Sequence, residues 1–250
     1  MKANIKKKYD AIRAKFVYTN TLIPQDRKEL KVLIVEDHPL MQNTIALIFN
    51  ELNERQKEYF FTLDMAFNCQ EAYERINKNK LNCYDYILLD IHLPEFKEKK
   101  FFSGEDIGEW IKRTIVPNPK IIVITFLKDT LRIKSLLKNI KPNALLVKDE
   151  ITCETLIDAV KHTIEGETYF SDSIININKN LIYDDVTIDV IDRRLLFELS
   201  LGSSMNELVE ALPIGKSAIQ KRKNNLMELF EVINKSNREL VLKAKQLGFL

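Results

Sequence analysis

The sequence predicts two domains, an α/β domain on a doubly wound, five-stranded parallel sheet followed by an all-α domain. Three observations carry this. Between Lys31 and about residue 165, short apolar runs alternate five times with amphipathic stretches, the pattern of parallel strands joined by crossover helices. Beyond Ile188 every apolar period is helical. The 250 residues, 45% hydrophobic and 30% charged, hold enough apolar material for two modest cores.

The first strand is KVLIV, residues 31–35. A helix with Ile45, Ile48 and Leu52 on one face follows, then the more polar strand YFFTLDMA (59–66) and a second helix over about 70–78. YDYILL (84–89) is the third strand. After a charged loop, SGEDIGEWIKR forms a helix that Ser103 can cap by accepting a backbone N–H bond. IIVIT (121–125) and NALLV (143–147) are the fourth and fifth strands, and Leu156, Val160 and Ile164 mark a last helix over 152–164. Residues 166–186, rich in Asn, Asp and Ser without a clean period, read as a linker.

The C-terminal domain, 187–250, opens on a helix that Asp189 caps, with Asp192 three residues on; Ser204 and Glu207 repeat that capping box. Leu195, Leu196 and Leu199 form the first apolar face, and Gly202 ends the helix. Leu208 and Leu212 continue the core, Pro213-Ile214-Gly215 makes a turn, and Ile219, Leu226 and Leu229 or Phe230 face inward from a third helix. A last helix, Asn237 to Gly248, presents Leu240, Ala244 and Leu247. In the N-terminal extension, 1–29, Ile5, Tyr9, Ile12 and Phe16 share a helical stripe, compatible with an added helix or a solvated tail.

Bulk properties restrict function little. A net charge of +2 leaves any nucleic-acid surface to local clustering. The three cysteines, Cys69, Cys83 and Cys153, are far apart and lack metal-site spacing, as expected for a reducing interior. No apolar run approaches the roughly 20 residues that span a bilayer, and no signal-peptide core follows the basic N-terminus; a cytoplasmic protein is expected.

Polar residues directly after strand runs gather at one edge of an open parallel sheet, where ligands bind. Here they are Glu36 and Asp37 after the first strand, Asp90 at the end of the third, Thr125 ending the fourth and Lys148 after the fifth. Three carboxylates hold Mg²⁺ through hard oxygen ligands, and the ion offsets phosphoryl charge. Asp90 is then the nucleophile, with the Lys148 ammonium and Thr125 hydroxyl neutralising and positioning, and a phosphohistidine on another protein as donor. Singly each residue has an ordinary explanation as a cap, a strand residue or a surface charge. All five at consecutive strand ends form a specific pattern.

Through VED (35–37), LLDIHLP (88–94), VIT (123–125) and VKD (147–149), residues 31 to about 165 resemble the receiver domain of two-component response regulators. The resemblance implies a flavodoxin-like fold, Glu36 and Asp37 as the acidic metal pair, Asp90 as phosphoacceptor, Thr125 as switch hydroxyl and Lys148 as phosphate-binding lysine. It also implies a metal contact from the His92 backbone carbonyl and phosphoryl supply by a sensor histidine kinase. Three features depart from that pattern. Leu145 stands where the family has an inward-swinging aromatic, the bulky Phe126 follows Thr125, and the loop from Asp90 to Gly104 is long and carries FKEKKFF. Phe126 is expected either to shape access to the phosphoryl group or to be a partly buried loop aromatic.

Residues 188–250 resemble the LuxR-type helix-turn-helix domain of the NarL/FixJ class. The third helix of this domain carries Lys216, Ser217, Gln220, Lys221, Arg222, Lys223 and Asn224, with no acidic residue between Lys216 and Lys223. Such a face suits the major groove, lysines and arginine on phosphates, Gln220 and Asn224 on base edges. Ala218-Ile219-Gln220-Lys221-Arg222 replaces the family's common Thr-Val-Lys-x-His, so individual contacts do not transfer. The expected protein is a non-enzymatic, homodimeric, phosphorylation-controlled transcription regulator on double-stranded DNA. The rival is a phosphate-independent regulator or interaction module with a vestigial pocket. A phosphohydrolase is disfavoured, since His92 stands where an acidic residue would be needed.

Overall fold

The computed structural model describes residues 24–78, 84–179, 188–234 and 236–250; the stripe expected at Ile5–Phe16, Cys83 and part of the expected linker lie outside them. The elements are β1 (Lys28–Val35), α1 (Pro39–Arg55), β2 (Tyr59–Ala66), α2 (Cys69–Lys78), β3 (Tyr86–Asp90), α3 (Gly104–Thr114), β4 (Lys120–Thr125) and α4 (Thr130–Asn139). Next along the chain are β5 (Ala144–Val147), α5 (Cys153–Glu165), β6 (Tyr169–Phe170), α6 (Asp172–Lys179), α7 (Val190–Ser200), α8 (Met205–Ala211), α9 (Lys216–Leu229) and α10 (Asn237–Gln246).

The sheet runs β2-β1-β3-β4-β5-β6 with every pair parallel. It has six strands, not the expected five. The sixth is too short for any hydrophobic period to announce it: two residues, Tyr169 and Phe170, pair with Ala144 and Leu145 on what would otherwise be the open edge of β5. The stretch read as an irregular linker therefore holds a strand and, from Asp172, a helix. Strand order reverses between β1 and β3, and at that switch point the strand ends open a crevice.

Packing divides the described residues into two compact units, one made of those up to Phe126 with Ile140–Ile175, the other of Leu127–Asn139 with those from Asn176 to Leu250. In the first, Val32, Ile34, Leu88, Ile122, Ile124 and Leu146 join Ile45, Phe49 and Leu52 of α1 and Leu156 and Val160 of α5 in one core. Side chains alternate across a strand, so Leu33, Val35, Ile87, Leu89 and Val123, also buried, face the opposite side of the sheet. Strands apolar on both faces are what a covered parallel sheet requires.

In the second unit, Leu195, Leu196, Leu208, Ile219, Leu226, Leu240 and Ala244 of α7–α10, with Phe230 just past α9, form one core. The Asp189 side chain accepts from the N–H groups of Ile191 and Asp192 at 2.8 and 2.9 Å, and Ser204 and Glu207 form the reciprocal box at α8. Gly202, at φ 83°, comes after α7 in the left-handed conformation. α4 belongs to this unit. Its Arg132, 1% exposed, donates from Nε to the Gly248 carbonyl at 3.0 Å and lies 4.8 Å from the Phe249 ring centroid. Ser135 Oγ and Asn139 Nδ2 both donate to the Ile188 carbonyl, at 2.8 and 2.9 Å.

Phe61 is fully buried and meets Phe49 edge-on, centroids 5.2 Å apart. Phe61→Ala should cost about 3–5 kcal/mol, read from the urea midpoint; a change below about 1 kcal/mol would mean that the β2–α1 core tolerates a cavity.

Candidate functional site

The pocket is built by strand ends. β1 and β3 lie side by side, with Val35 opposite Leu89, so the residues just past Val35 emerge next to Asp90. Ligand oxygens of Glu36, Asp37 and Asp90 lie within 4.8 Å of one another. Glu36 and Asp90 are buried and Asp37 is exposed, so the cluster has a closed floor and a solvent-facing side. Lys148, directly after β5, reaches across with Nζ 2.8 Å from Asp90 Oδ2 and 2.7 Å from Glu36 Oε2. Thr125 ends β4 fully buried, one residue beyond the partner of Asp90 in the ladder.

Backbone amides complete the shell. His38 N–H donates to Glu36 Oε1 at 3.1 Å and His92 N–H to Asp90 Oδ1 at 3.2 Å. Gln42 Nε2, buried, ties the Ala66 carbonyl at 3.1 Å and the Glu36 carbonyl at 3.4 Å, fixing the β1–α1 turn against β2. Burial and the neighbouring Asp90 charge raise the Glu36 pKa above its ordinary 4.5, against the pull of Lys148. Burial works to lower the Lys148 pKa, but its bonds to Asp90 and Glu36 prevail and raise it. Three carboxylates around one ammonium leave an excess of negative charge in a partly closed site. Hard oxygens with that excess suit a divalent cation such as Mg²⁺.

Two residues near the pocket shape it. A Cβ on Gly104 would come 1.9 Å from the Asp90 carbonyl oxygen, so this turn admits only glycine; its N–H donates to the Ile91 carbonyl at 2.9 Å. Gly104 is absent from the sequence-predicted site, although a glycine at a helix start after an acidic strand end is a signal of close backbone approach. The Phe126 ring is 58% exposed and stands 5.2 Å from Lys148 Nζ, over the ammonium rather than in the core. Leu145 is fully buried. The long β3–α3 loop is ordered by an antiparallel bridge between Phe96 and Phe101, and Tyr73 gathers Phe96, Phe101 and Trp110 at 5.0–5.9 Å.

In the second unit, Lys216, Ser217, Gln220, Lys221 and Asn224 of α9 are exposed and Lys223 half-buried. Gln220 Nε2 donates to Asn224 Oδ1 at 2.9 Å along this face. Arg222 points elsewhere: its Nη1 lies 2.9 Å from Asp189 Oδ2 and 2.8 Å from Asp192 Oδ1, pinning α9 to the first turn of α7.

A carboxylate with a raised folded-state pKa adds stability at low pH that is lost as pH rises through that pKa. The stability difference between wild type and Glu36→Gln should therefore shift against wild type as pH rises from about 4 through the raised Glu36 pKa, measured in metal-free buffer by denaturant midpoints. Added Mg²⁺ should reduce that shift. A difference independent of pH would show that Glu36 ionises as in water.

Among comparisons with known proteins, the family model described as the response regulator receiver domain matches residues 32–161. A nitrate/nitrite response regulator protein homolog of Haemophilus influenzae is 25% identical over 207 residues, 82% of this chain and 91% of that protein. A structure of RcsB dimers bound to two parallel DNAs superposes with TM-score 0.53 at 16% identity, over 88% of this chain and all of that one. RcsB of Salmonella enterica serovar Typhimurium, bound to a promoter with the phosphomimetic BeF₃⁻, gives TM-score 0.53 and 16% identity over 86% of this chain and 97% of that one. These two structures share its fold. The family match covers more than half of the chain and contains all five pocket residues: the protein belongs to the response regulator receiver family.

Proposed function

We propose that the protein is a transcription regulator of a two-component system, switched by phosphorylation of Asp90. The observation that supports this most is the buried Lys148 ammonium shared by Asp90 and Glu36, beside Asp37 at the sheet's switch point. The donor is a phosphohistidine of a sensor kinase. An Asp90 carboxylate oxygen forms the new O–P bond as the P–N bond breaks, and the electron pair leaves with the imidazole. Lys148 neutralises phosphoryl oxygens and the Thr125 hydroxyl donates to one of them. Glu36, Asp37 and Asp90, with the His92 carbonyl, would hold Mg²⁺, which supplies charge neutralisation when bound. Phe126 roofs Lys148 and restricts water.

The output is DNA. In this reading Lys216, Lys221 and Lys223 contact phosphates, while Ser217, Gln220 and Asn224 face base edges. Arg222, engaged by Asp189 and Asp192, sets the pitch of α9 in the groove. The resemblance to the NarL/FixJ class and the dimeric RcsB fold relative support a homodimer, in which two half-sites gain effective concentration. Among the described residues no helix is long and apolar enough to cross a membrane, in keeping with a regulator that meets kinase and promoter in the cytoplasm.

Incubation with acetyl phosphate and Mg²⁺ should add one phosphoryl group by intact mass, and none to Asp90→Asn. An unlabelled wild type, under conditions that label a control receiver, would favour the phosphate-independent rival. Phe126→Ala should shorten the lifetime of the adduct; an unchanged lifetime would make Phe126 an ordinary loop aromatic. Lys221→Ala should lower the log–log salt slope of DNA binding by about 0.9. Arg222→Ala should leave the slope within about 0.3 of wild type and reduce thermal stability instead.

A further inference from the structure

The end of β5 is held from its outer side by a hydroxyl. Parallel ladders are built from main-chain groups, and β6 obeys that rule as far as it goes: Tyr169 N–H donates to the Asn143 carbonyl at 3.1 Å and Ser171 N–H to the Leu145 carbonyl at 3.0 Å. The next bond of the ladder would run from Val147 N–H to the carbonyl of Ser171. That carbonyl is already committed, because α6 begins at Asp172 and the N–H groups of Ile174 and Ile175 donate to it at 2.9 and 3.0 Å. The Ser171 side chain takes its place: Val147 N–H donates to Ser171 Oγ at 3.0 Å. Ser171 is 7% exposed, so no bulk water competes for this amide.

Val147 immediately precedes Lys148. The strand end that aims the Lys148 ammonium at Asp90 and Glu36 is thus fixed on its outer side by one serine, and that serine's carbonyl anchors the first turn of α6. A weaker tie runs parallel to it, from Ser173 N–H to Glu150 Oε2 at 3.4 Å. We propose that Ser171 is a positioning residue for the phosphate-binding lysine, and that its hydroxyl joins the occupied pocket to helix α6. The inference rests on Lys148 receiving the phosphoryl group, as proposed above. It requires an acceptor at position 171 with a short side chain, since the contact is side chain to main chain across the sheet edge.

Two ligands separate the effect on Lys148 from a general loss of structure. Mg²⁺ is held by the carboxylates, whereas the phosphoryl mimic beryllofluoride also needs the lysine. Titration calorimetry on the full chain measures Mg²⁺ alone, then beryllofluoride at saturating Mg²⁺. Ser171→Ala should bind Mg²⁺ as wild type does and beryllofluoride about fivefold more weakly, the loss expected for one buried hydrogen bond. Ser171→Cys, nearly isosteric with a poor acceptor, should share the defect, and Ser171→Thr, which keeps the hydroxyl, should restore binding to within about twofold of wild type. By reciprocity, beryllofluoride should slow hydrogen exchange of the Ile174 and Ile175 amides in wild type and not in Ser171→Ala.

Equal beryllofluoride affinity in Ser171→Ala and wild type would overturn the proposal. So would a parallel loss of Mg²⁺ binding, failure of Ser171→Thr to restore, or equal slowing of exchange in both proteins. A wild type that binds Mg²⁺ and no beryllofluoride would instead refute the phosphoacceptor reading, and this inference with it. Should Ser171→Ala fail to fold, Ser171→Cys against Ser171→Thr carries the same comparison.

Discussion

One buried ammonium organises the pocket. Lys148 Nζ stands between Asp90 and Glu36 at 2.8 and 2.7 Å, and a charge so placed is stable only while its partners remain. Removing one partner of such a pair typically costs about 3–5 kcal/mol, because the other charge is left in a low dielectric. The constraint spreads into the fold. β5 must end where it does, β1 and β3 must be neighbours, and Gly104 must lack a side chain so that α3 can start against the Asp90 backbone.

The same arrangement supports the phosphoacceptor reading. Glu36 and Asp37 add negative charge that one lysine cannot balance, so a cation is favoured, and cation and lysine together attract an anion. In the proposed reading, a phosphoryl group on Asp90 would redistribute those contacts. Lys148 lies next to the strand end that Ser171 fastens, and Thr125 precedes, by one residue, the boundary at Phe126–Leu127 between the two packing units. Both groups that would sense the phosphoryl charge therefore sit where strands give way to other structure.

Much of this was legible in the sequence, for definite reasons. Most strand runs are apolar on both faces, so the polar residues that end or follow them, Glu36, Asp37, Asp90, Thr125 and Lys148, stand out as strand-end positions, although the apolar Ile91 and Phe126 come directly after two of them. Asp189 and Ser204 are readable because capping has a fixed spacing. The sixth strand was not legible, since two residues carry no period, and α6 was hidden by Asn and Ser, which favour turns in isolation. Arg222 looked like its neighbours on a basic helix; its ion pairs with Asp189 and Asp192, at least 30 positions away, arise only once α7 and α9 pack. Gly104 carries the local signal of a glycine at a helix start, whereas Ser171 acts through the backbone of β5 and no local pattern marks that contact.

If charge captured at Asp90 governs the hold of α9 on DNA, the affinity of the full chain for DNA must respond to the pocket. The most direct measurement is binding to DNA selected from a random pool, with and without beryllofluoride and Mg²⁺. Binding should be at least about tenfold tighter with the mimic, about 1.4 kcal/mol, with no gain for Asp90→Ala or Lys148→Ala. Equal affinity of the wild type in both conditions, with the mimic shown to be bound, would contradict that coupling.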